Sequence, residues 1–496
     1  MSKDGPIWKN SNEIINPESE DICFTPAVKL REMIRSRFLS PVELVKVYLN
    51  RIERINPFIN AYCTVVPEMA LQSAKETEAA IRRGDELGTL HGIPVSIKDN
   101  TLTKGIRTTF GSKAFENFIP DQDALVVERL KRAGAVILGK TNCPEFAAGA
   151  STFNKVFGIT RNPWNINFNS GGSSGGAAAV VAAGLGPLAE ANDLGGSVRI
   201  PASFCGVVGI RPSPGRIPRY PSALCWDNLS VEGVIARTVN DAALMLDVVS
   251  GADDRSPISL ANEETTFLEA IDNPNIKNLR IAWGGNLSLT PVDHEVIDIA
   301  KSATKVFLGL GCEVAEDAPD FSGTREIALI LRGLRYVSLY YDQYMEPEFR
   351  NLANPLVIGN IEQGLTLSIL DVAKAERQRS ELWQRVRAFF DDYDLLMTPT
   401  AAVPPFSAET IYPTEINGKP MENYVDWIML TYAITLSGLP AISVPCGWSK
   451  KGLPIGLQIV GRRNAESTLL RAAAAYELAA PWVDKRPTSI ELHSTH

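Results

Sequence analysis

The chain has 496 residues, of which 45% are hydrophobic and 21% charged, a composition typical of globular proteins. Its formal net charge of −8 argues against nucleic-acid binding, which depends on Lys and Arg neutralising phosphates. The N-terminal residues lack the apolar core of a signal peptide, and the longest low-polarity run, 177–189, is shorter than the ~20 residues that span a membrane. We therefore expect neither nucleic acid nor a membrane as partner.

The numbers and spacing of cysteine and histidine exclude further kinds of site. The seven cysteines include no C-x-x-C pair, so reduced thiols and a cytoplasmic location are expected. Of only four histidines, His493 and His496 lie in a C-terminal tail that we expect to be frayed. The chain thus has few histidines that could form a zinc site or a histidine-dependent catalytic triad. We expect no metal and no cofactor.

The first third of the chain alternates helices and strands. A helical N-terminal segment covers about 1–85, with Ser40 as the N-cap of one helix before Pro41. The pattern then predicts a strand at 93–97, a helix at 123–133 and a strand at 135–138. Such alternation is typical of an α/β sheet with crossover connections.

A long loop precedes a helix of unusual composition. Residues 149–174 have no periodicity and are rich in Asn, Gly and Ser, which predicts a loop. The following stretch, GGAAAVVAAGL, has apolar or small residues on every face and predicts a buried helix. A polar loop that leads into a buried helix indicates a functional site.

The remaining elements extend the α/β pattern. A helix is predicted at 236–250, a connection at 253–275 and a strand at 278–284. Residues 319–365 are aromatic and irregular, and we expect a variable, lid-like region there. Further strands are predicted at 395–397, 441–444 and 457–460. Without repeats or linkers, residues 1–496 are expected to form one α/β domain.

Two short stretches of the sequence fit the residue pattern of known motifs but lack the local structure that those motifs require. GAVILGKT (134–141) fits the phosphate-binding P-loop, but its Ala-Val-Ile-Leu favours a strand over an anion-binding turn. GGSSG (171–175) fits the nucleophile elbow of α/β-hydrolases, yet a loop precedes its serine where that motif needs a strand. Its histidine partner would be His294, which begins a plain helix, or a tail histidine.

Two glycine-serine loops and one lysine remain as candidates. In NDLGGSVRIPASFCG (192–206), Gly195 and Gly196 permit unusual backbone angles. The amides of Leu194 to Ser197 could therefore converge on one oxygen, as in an oxyanion hole. Lys98 ends the apolar strand IPVSI, and a buried lysine there would lose its proton and could act as a base without histidine.

Together these segments resemble the amidase signature family over nearly the whole chain. The matching stretches are LHGIPVSIKDN (90–100), GAVILGKTNCPEF (134–146), GGSSGGAAAVVAAGLGPLA (171–189), NDLGGSVRIPASFCGVVGIRPSPGRIP (192–218), VEGVIARTVNDAALMLDVVSG (231–251), YDLLMTPT (393–400) and SGLPAISVPCG with KGLPIGLQIVG (437–461). The NDLGGSVRIPAS segment is locally similar to one member, 6-aminohexanoate cyclic dimer hydrolase. The resemblance implies a mixed central β-sheet covered by helices.

The resemblance also implies roles for individual residues. Ser197 corresponds to the nucleophile, Ser173 to a bridging serine and Lys98 to the general base. The Gly172–Ser173 bond is expected to be cis. The Leu194, Gly195, Gly196 and Ser197 amides would hold the oxyanion, and Asp193 and Arg199 would pair to brace that loop.

The pocket implied by the resemblance is roomy and apolar. Its expected lining includes Ala147, Gly149, Ser174 and Ile200, and Ile200 occupies the position of a carboxylate-binding arginine in some members. Leu194 replaces a threonine and so lacks a hydroxyl near the leaving group. We therefore expect a pocket without fixed positive charge that prefers neutral, apolar or aromatic amides.

Three hypotheses of function remain open on the sequence. The first is an amidase for a small-molecule amide, with activity on carbamates or esters also open, working as a monomer or a homodimer. The second is the glutaminase subunit of a tRNA-dependent amidotransferase. The third is a nucleotide-binding protein that uses GAVILGKT.

Overall fold

A mixed sheet of eleven strands runs through the protein in the computed structural model, which describes residues 20–488 and 490. Residues 1–19 of the predicted N-terminal segment and the tail histidines His493 and His496 lie outside the described residues. The sheet strands, labelled in chain order, are β1 (Tyr62–Val65), β2 (Pro94–Lys98), β3 (Val136–Thr141), β4 (Leu188–Asp193), β5 (Val208–Arg211), β6 (Val231–Ala236), β7 (Arg280–Trp283), β8 (Glu313–Glu316), β9 (Leu395–Pro399), β10 (Ala441–Trp448) and β11 (Pro454–Gly461).

The strand order in this sheet is β1-β3-β2-β4-β6-β5-β10-β11-β9-β7-β8. The β3-β2-β4 and β9-β7-β8 neighbours pair parallel, and the other neighbours pair antiparallel. Most of the central strands are completely buried, because helices cover both faces. The expected single α/β domain with a mixed sheet is thus confirmed.

Helices enclose this sheet. They are α1 (Ala27–Arg35), α2 (Pro41–Ile59), α3 (Pro67–Arg83), α4 (Leu125–Arg132), α5 (Gly175–Ala182), α6 (Arg199–Cys205), α7 (Val239–Val249), α8 (Phe267–Ala270), α9 (His294–Gly309), α10 (Thr324–Met345), α11 (Pro347–Leu352), α12 (Pro355–Leu365), α13 (Ile369–Asp392), α14 (Met429–Leu436) and α15 (Glu466–Ala479). Short 3-10 segments occur at Glu20–Phe24, Lys113–Phe115, Glu145–Ala147 and Asp426–Ile428.

Several local predictions are confirmed. The Ser40 hydroxyl caps α2 by accepting the N–H groups of Val42 and Glu43. Every residue of α5 is buried, as expected for a helix with small residues all round. Residues 136–141 of the P-loop match form strand β3, and Lys140 is buried among threonines. The third hypothesis is therefore wrong, because a strand offers no anion-binding turn.

Other segments are more regular than predicted. The loop at 149–174 contains two small antiparallel ribbons, Phe153–Asn154 with Gly158–Ile159 and Arg161–Asn162 with Asn165–Asn169. A third ribbon pairs Glu415–Ile416 with Lys419–Pro420. The predicted irregular region 319–365 is wrong in its local structure, because most of it forms the helices α10, α11 and α12. Whether it acts as a lid stays a prediction.

Among residues 20–488 and 490, no single helix is long and apolar enough to cross a membrane. Taken as a pair, Pro355–Leu365 and Ile369–Asp392 satisfy the length and composition test, but they are bent by 101°.

Candidate active site

The candidate site lies at one edge of the sheet, where two parallel strands end side by side. Strand β2 ends at Lys98 and its neighbour β4 ends at Asp193, with Val95 paired to Leu188 in the register. Because parallel strands end at the same edge, Lys98 and the loop after Asp193 lie together.

The two serine loops meet at this edge. Ser173 and Ser174 immediately precede α5, and Ser197 lies between β4 and α6. The peptide bond between Gly172 and Ser173 is cis, as the resemblance implies. The Ser174 main-chain N–H donates to the Ser197 carbonyl at 3.1 Å, which ties the loops together.

Lys98 is completely buried and faces both loops. Its Nζ donates to the hydroxyls of Ser173 at 2.7 Å and Ser174 at 2.9 Å, and to the side-chain oxygen of Asn192 at 2.8 Å. Burial disfavours the charged ammonium and lowers the pKa of Lys98 from 10.5 to about 8. About a tenth of the amine is therefore neutral at pH 7, far more than for an exposed lysine.

The surroundings determine where the lone pair of a neutral Lys98 would point. The Ser174 hydroxyl donates its own hydrogen to the Asn192 carbonyl at 3.3 Å, so its oxygen is left as an acceptor for Lys98. The Asn192 side-chain oxygen is an acceptor only. These two acceptors can take the two N–H groups of a neutral amine, and the lone pair is then directed at the Ser173 hydroxyl.

Sequence reasoning missed Asn192 and Glu190 as parts of this site. Asn192 is held from behind, because its Nδ2 donates to Asn100 Oδ1 at 2.9 Å. The buried Glu190 carboxylate accepts the main-chain N–H of Lys98 at 2.9 Å. Both residues lie in strand β4, which the sequence analysis did not predict, directly before the Ser197 loop.

The loop predicted to form an oxyanion hole has one amide already in use. Gly196 adopts a φ of +117°, and a side chain there would collide with Thr431. Its N–H donates to Asp193 Oδ1 at 3.0 Å. The amides of Leu194, Gly195 and Ser197 have no such partner in the described part of the chain, so three amides rather than four are available to an oxygen.

A buried ion pair fixes this loop. Arg199 donates to both oxygens of Asp193, at 2.8 and 3.0 Å, and also to Gln458 Oε1 at 2.7 Å. Arg211 donates to the Asp193 carbonyl at 2.6 Å. Although burial alone would favour the protonated carboxyl, Arg199 and Arg211 hold the pKa of Asp193 well below its usual range. The loop is thus braced by a carboxylate that stays ionised.

A cavity of about 210 Å³ opens onto both Ser173 and Ser197. Part of its wall is aromatic, and the rings are those of Phe110, Phe146, Tyr336 and Tyr340. Three arginines also line it, Arg219, Arg332 and Arg335. The expectation of a pocket without fixed positive charge is therefore wrong, because these three arginines place positive charge on the cavity wall.

The four residues predicted to line the substrate pocket have different positions. Ala147 lines the cavity, whereas Gly149, Ser174 and Ile200 are not part of its wall. Ile200 is buried in the hydrophobic core and approaches Gly196 from behind. Ser174 instead belongs to the Lys98 cluster. Only the first of the four can contact a bound molecule in this cavity.

Within residues 20–488 and 490, no group of three or more His, Cys, Asp or Glu side chains has an arrangement that could bind a metal ion.

Known proteins of similar sequence match this chain over nearly its whole length. The Amidase family model matches residues 43–470. The acylamidase of Rhodococcus erythropolis is 38% identical over 469 residues, which is 94% of this chain and 98% of that protein. The A subunit of the glutamyl-tRNA(Gln) amidotransferase of Carboxydothermus hydrogenoformans is 36% identical over 490 residues, 94% of this chain and 99% of that protein.

Solved structures agree with the sequence comparison. A bacterial aryl acylamidase described as belonging to the amidase signature enzymes superposes with a TM-score of 0.87 at 31% identity, covering 93% of this chain and 97% of that one. The 6-aminohexanoate cyclic dimer hydrolase in complex with substrate gives a TM-score of 0.84 at 30% identity, covering 94% and 99%.

Proposed function

The chain belongs to the amidase signature family, and from that premise we propose that it hydrolyses a small-molecule amide through an acyl-enzyme on Ser197. The observation that carries the proposal is the buried Lys98 amine, 2.7 Å from Ser173 Oγ, beside a cavity that both serines line. A lysine whose pKa is lowered to about 8 can accept a proton without histidine.

In the proposed reaction, protons move along the line from Ser197 through Ser173 to Lys98. Ser173 takes the proton of Ser197 while passing its own to the neutral Lys98 amine, and Ser197 Oγ attacks the amide carbonyl. The free loop amides of Leu194, Gly195 and Ser197 stabilise the oxyanion. The relay then runs in reverse, so that Ser173 donates one proton to the leaving amine and regains one from Lys98. Water, deprotonated by the same route, then hydrolyses the ester on Ser197.

This assignment predicts an acidic limit to activity. Only the neutral amine accepts a proton, so kcat/KM should rise with pH through about 8, where Lys98 loses its proton, and level off above it. The profile can be measured with an uncharged amide, so that the substrate contributes no ionisation. An activity that falls as pH rises through this range would contradict a lysine base.

The names of the relatives support an acyl or aryl amide as the substrate. An acylamidase and an aryl acylamidase are among them, and the aromatic wall of the cavity provides apolar surface for such groups. A panel of p-nitroanilides, primary amides and carbamates tests this directly. If the enzyme hydrolyses no member of any of these classes, the proposed activity is refuted.

The cavity size can be tested at Ala147, which lines its wall. Ala147→Phe should fill part of the space and raise KM for bulky amides by about tenfold or more, with a smaller effect on acetamide-sized ones. The measurement is the ratio of kcat/KM between a bulky and a small amide in both proteins. An equal loss for both substrates would instead indicate a general distortion.

The glutaminase hypothesis remains the second candidate, because the A subunits of two such amidotransferases match this chain over nearly their full length. A protein of this kind would work together with partner proteins. Purification of the tagged chain from its own cells distinguishes the two: we expect an active enzyme without stoichiometric partners. Copurification of further proteins with glutamine as the best substrate would favour the second candidate.

We also infer that the enzyme works in the cytoplasm. All seven cysteines are free thiols, which fits a reducing compartment.

A further inference from the structure

The three arginines that line the cavity differ in how their charges are balanced. Arg219 donates to Glu232 at 2.8 Å and lies 3.6 Å from Asp227. Arg335 forms a salt bridge with the same Asp227. Both guanidinium groups are thus neutralised by the two carboxylates.

Arg332 has no such partner. It is only 5% exposed, and it forms no ion pair with an acidic side chain anywhere in residues 20–488. Its Nε donates to Asn360 Oδ1 at 2.8 Å and its Nη2 to the Tyr336 hydroxyl at 3.3 Å. The guanidinium carbon also lies 4.9 Å from the ring centre of Tyr336 and 5.0 Å from that of Tyr424.

These contacts hold the guanidinium in place without cancelling its charge. The rings attract the cation through their negative faces, but they carry no formal charge. The hydrogen bonds from Nε and Nη2 go to an amide oxygen and a phenol, which are both neutral groups. A nearly buried cation without a counter-ion is unfavourable, and an anion that enters the cavity would remove that penalty.

We propose that Arg332 binds a carboxylate of the substrate, so that the enzyme acts on amides that carry an acidic end. This inference rests on the proposed function and names its substrate class. The aromatic rings of Phe110 and Phe146 would contact the apolar body of the substrate, while Arg332 binds its charged end. A carboxylate fits better than a phosphate, because one uncompensated positive charge balances a monoanion but not a dianion.

Matched pairs of substrates test the proposal on the wild-type enzyme. The first pair is the mono-p-nitroanilide of succinic acid and the p-nitroanilide of butyric acid, which place or omit a carboxylate on the acyl side. The second pair is p-acetamidobenzoate and p-acetamidotoluene, which do the same on the amine side. In one pair, we expect kcat/KM for the acid to exceed that of its neutral partner by about 10- to 100-fold.

Variants of two arginines on α10 show which of them causes the preference for the acidic substrate. Arg332→Gln should abolish the preference mainly by raising KM for the acid, and Arg332→Lys should restore it in part, because the charge returns without the planar fork. Arg335→Gln is the matched control, since it removes a charge that Asp227 already neutralises, and the acid-to-neutral ratio should persist. Loss of the preference in Arg335→Gln but not in Arg332→Gln would overturn the assignment.

The outcomes separate this inference from the function on which it rests. If wild-type enzyme hydrolyses the neutral member of both pairs as well as the acid or better, the role of Arg332 is wrong and the amidase proposal stands. If no anilide is hydrolysed and no serine is acylated, both proposals fail together. The wild-type comparison decides the matter even if Arg332→Gln does not fold.

Discussion

Replacement of Ser197 by alanine will lower kcat by a factor on the order of 10⁶, because it removes the proposed nucleophile of the acyl-enzyme pathway. The fold should persist, since the variant loses one oxygen from a half-buried side chain at the cavity wall. A fluorophosphonate probe followed by peptide mass spectrometry should label wild-type enzyme at Ser197, and the variant should stay unlabelled with an unchanged Tm.

Ser222→Ala provides the matched control for that experiment. Ser222 lines the same cavity but belongs to neither serine loop. We expect this variant to be labelled at Ser197 like the wild type. Labelling of the wild type at Ser173, or turnover by Ser197→Ala, would show that the two serines have been assigned the wrong roles.

Replacement of Lys98 by alanine will lower kcat by at least ~10²–10⁴-fold, the usual contribution of a general base. The loss should approach the upper value, because Lys98 is the group that contacts Ser173, Ser174 and Asn192 together. Small primary amines that can enter the cavity should restore part of the rate. The measurement is kcat with and without added amine, normalised to correctly folded enzyme.

A second buried lysine, Lys140, provides the control that distinguishes a general base from a cation with only a structural role. Lys140 is also buried with its pKa lowered to about 8, but its Nζ donates to the hydroxyls of Thr103 and Thr108 and does not reach the serines. Lys140→Met should lower Tm while the folded fraction keeps its turnover within about tenfold. Wild-type kcat in Lys98→Ala, without added amine, would place the base elsewhere.

Part of the site follows from local sequence patterns. An apolar run that ends in Lys98 predicts a strand whose last side chain reaches a sheet edge, and the structure places it there. The loop after β4 was foreseen from its two glycines, of which Gly196 has a positive φ. These features depend on a few neighbouring residues, so the chain pattern is sufficient to find them.

The cavity wall could not be found in the same way. Arg332 and Arg335 reach it from helix α10, which is distant in sequence from both serine loops, and only tertiary packing brings them there. Helix α10 was missed because its aromatic and β-branched residues have weak helix propensity. The overlooked signal was the spacing of its buried residues, Ile327, Ala328 and Leu331, which is the helical one. Arg332 follows on the same buried face.

The brace on the oxyanion loop also bears on how the enzyme is made. Arg199 is held by Gln458, which the ribosome adds 259 residues later, and by the Thr431 carbonyl, which comes 232 residues later. At ~5–20 residues per second, Gln458 follows after roughly 13 to 52 s of translation. Throughout that interval the nascent chain carries Ser197 and the Asp193–Arg199 ion pair, but Arg199 lacks its hydrogen bonds to Thr431 and Gln458. The full set of contacts that holds Arg199 can therefore form only after Gln458 has been added.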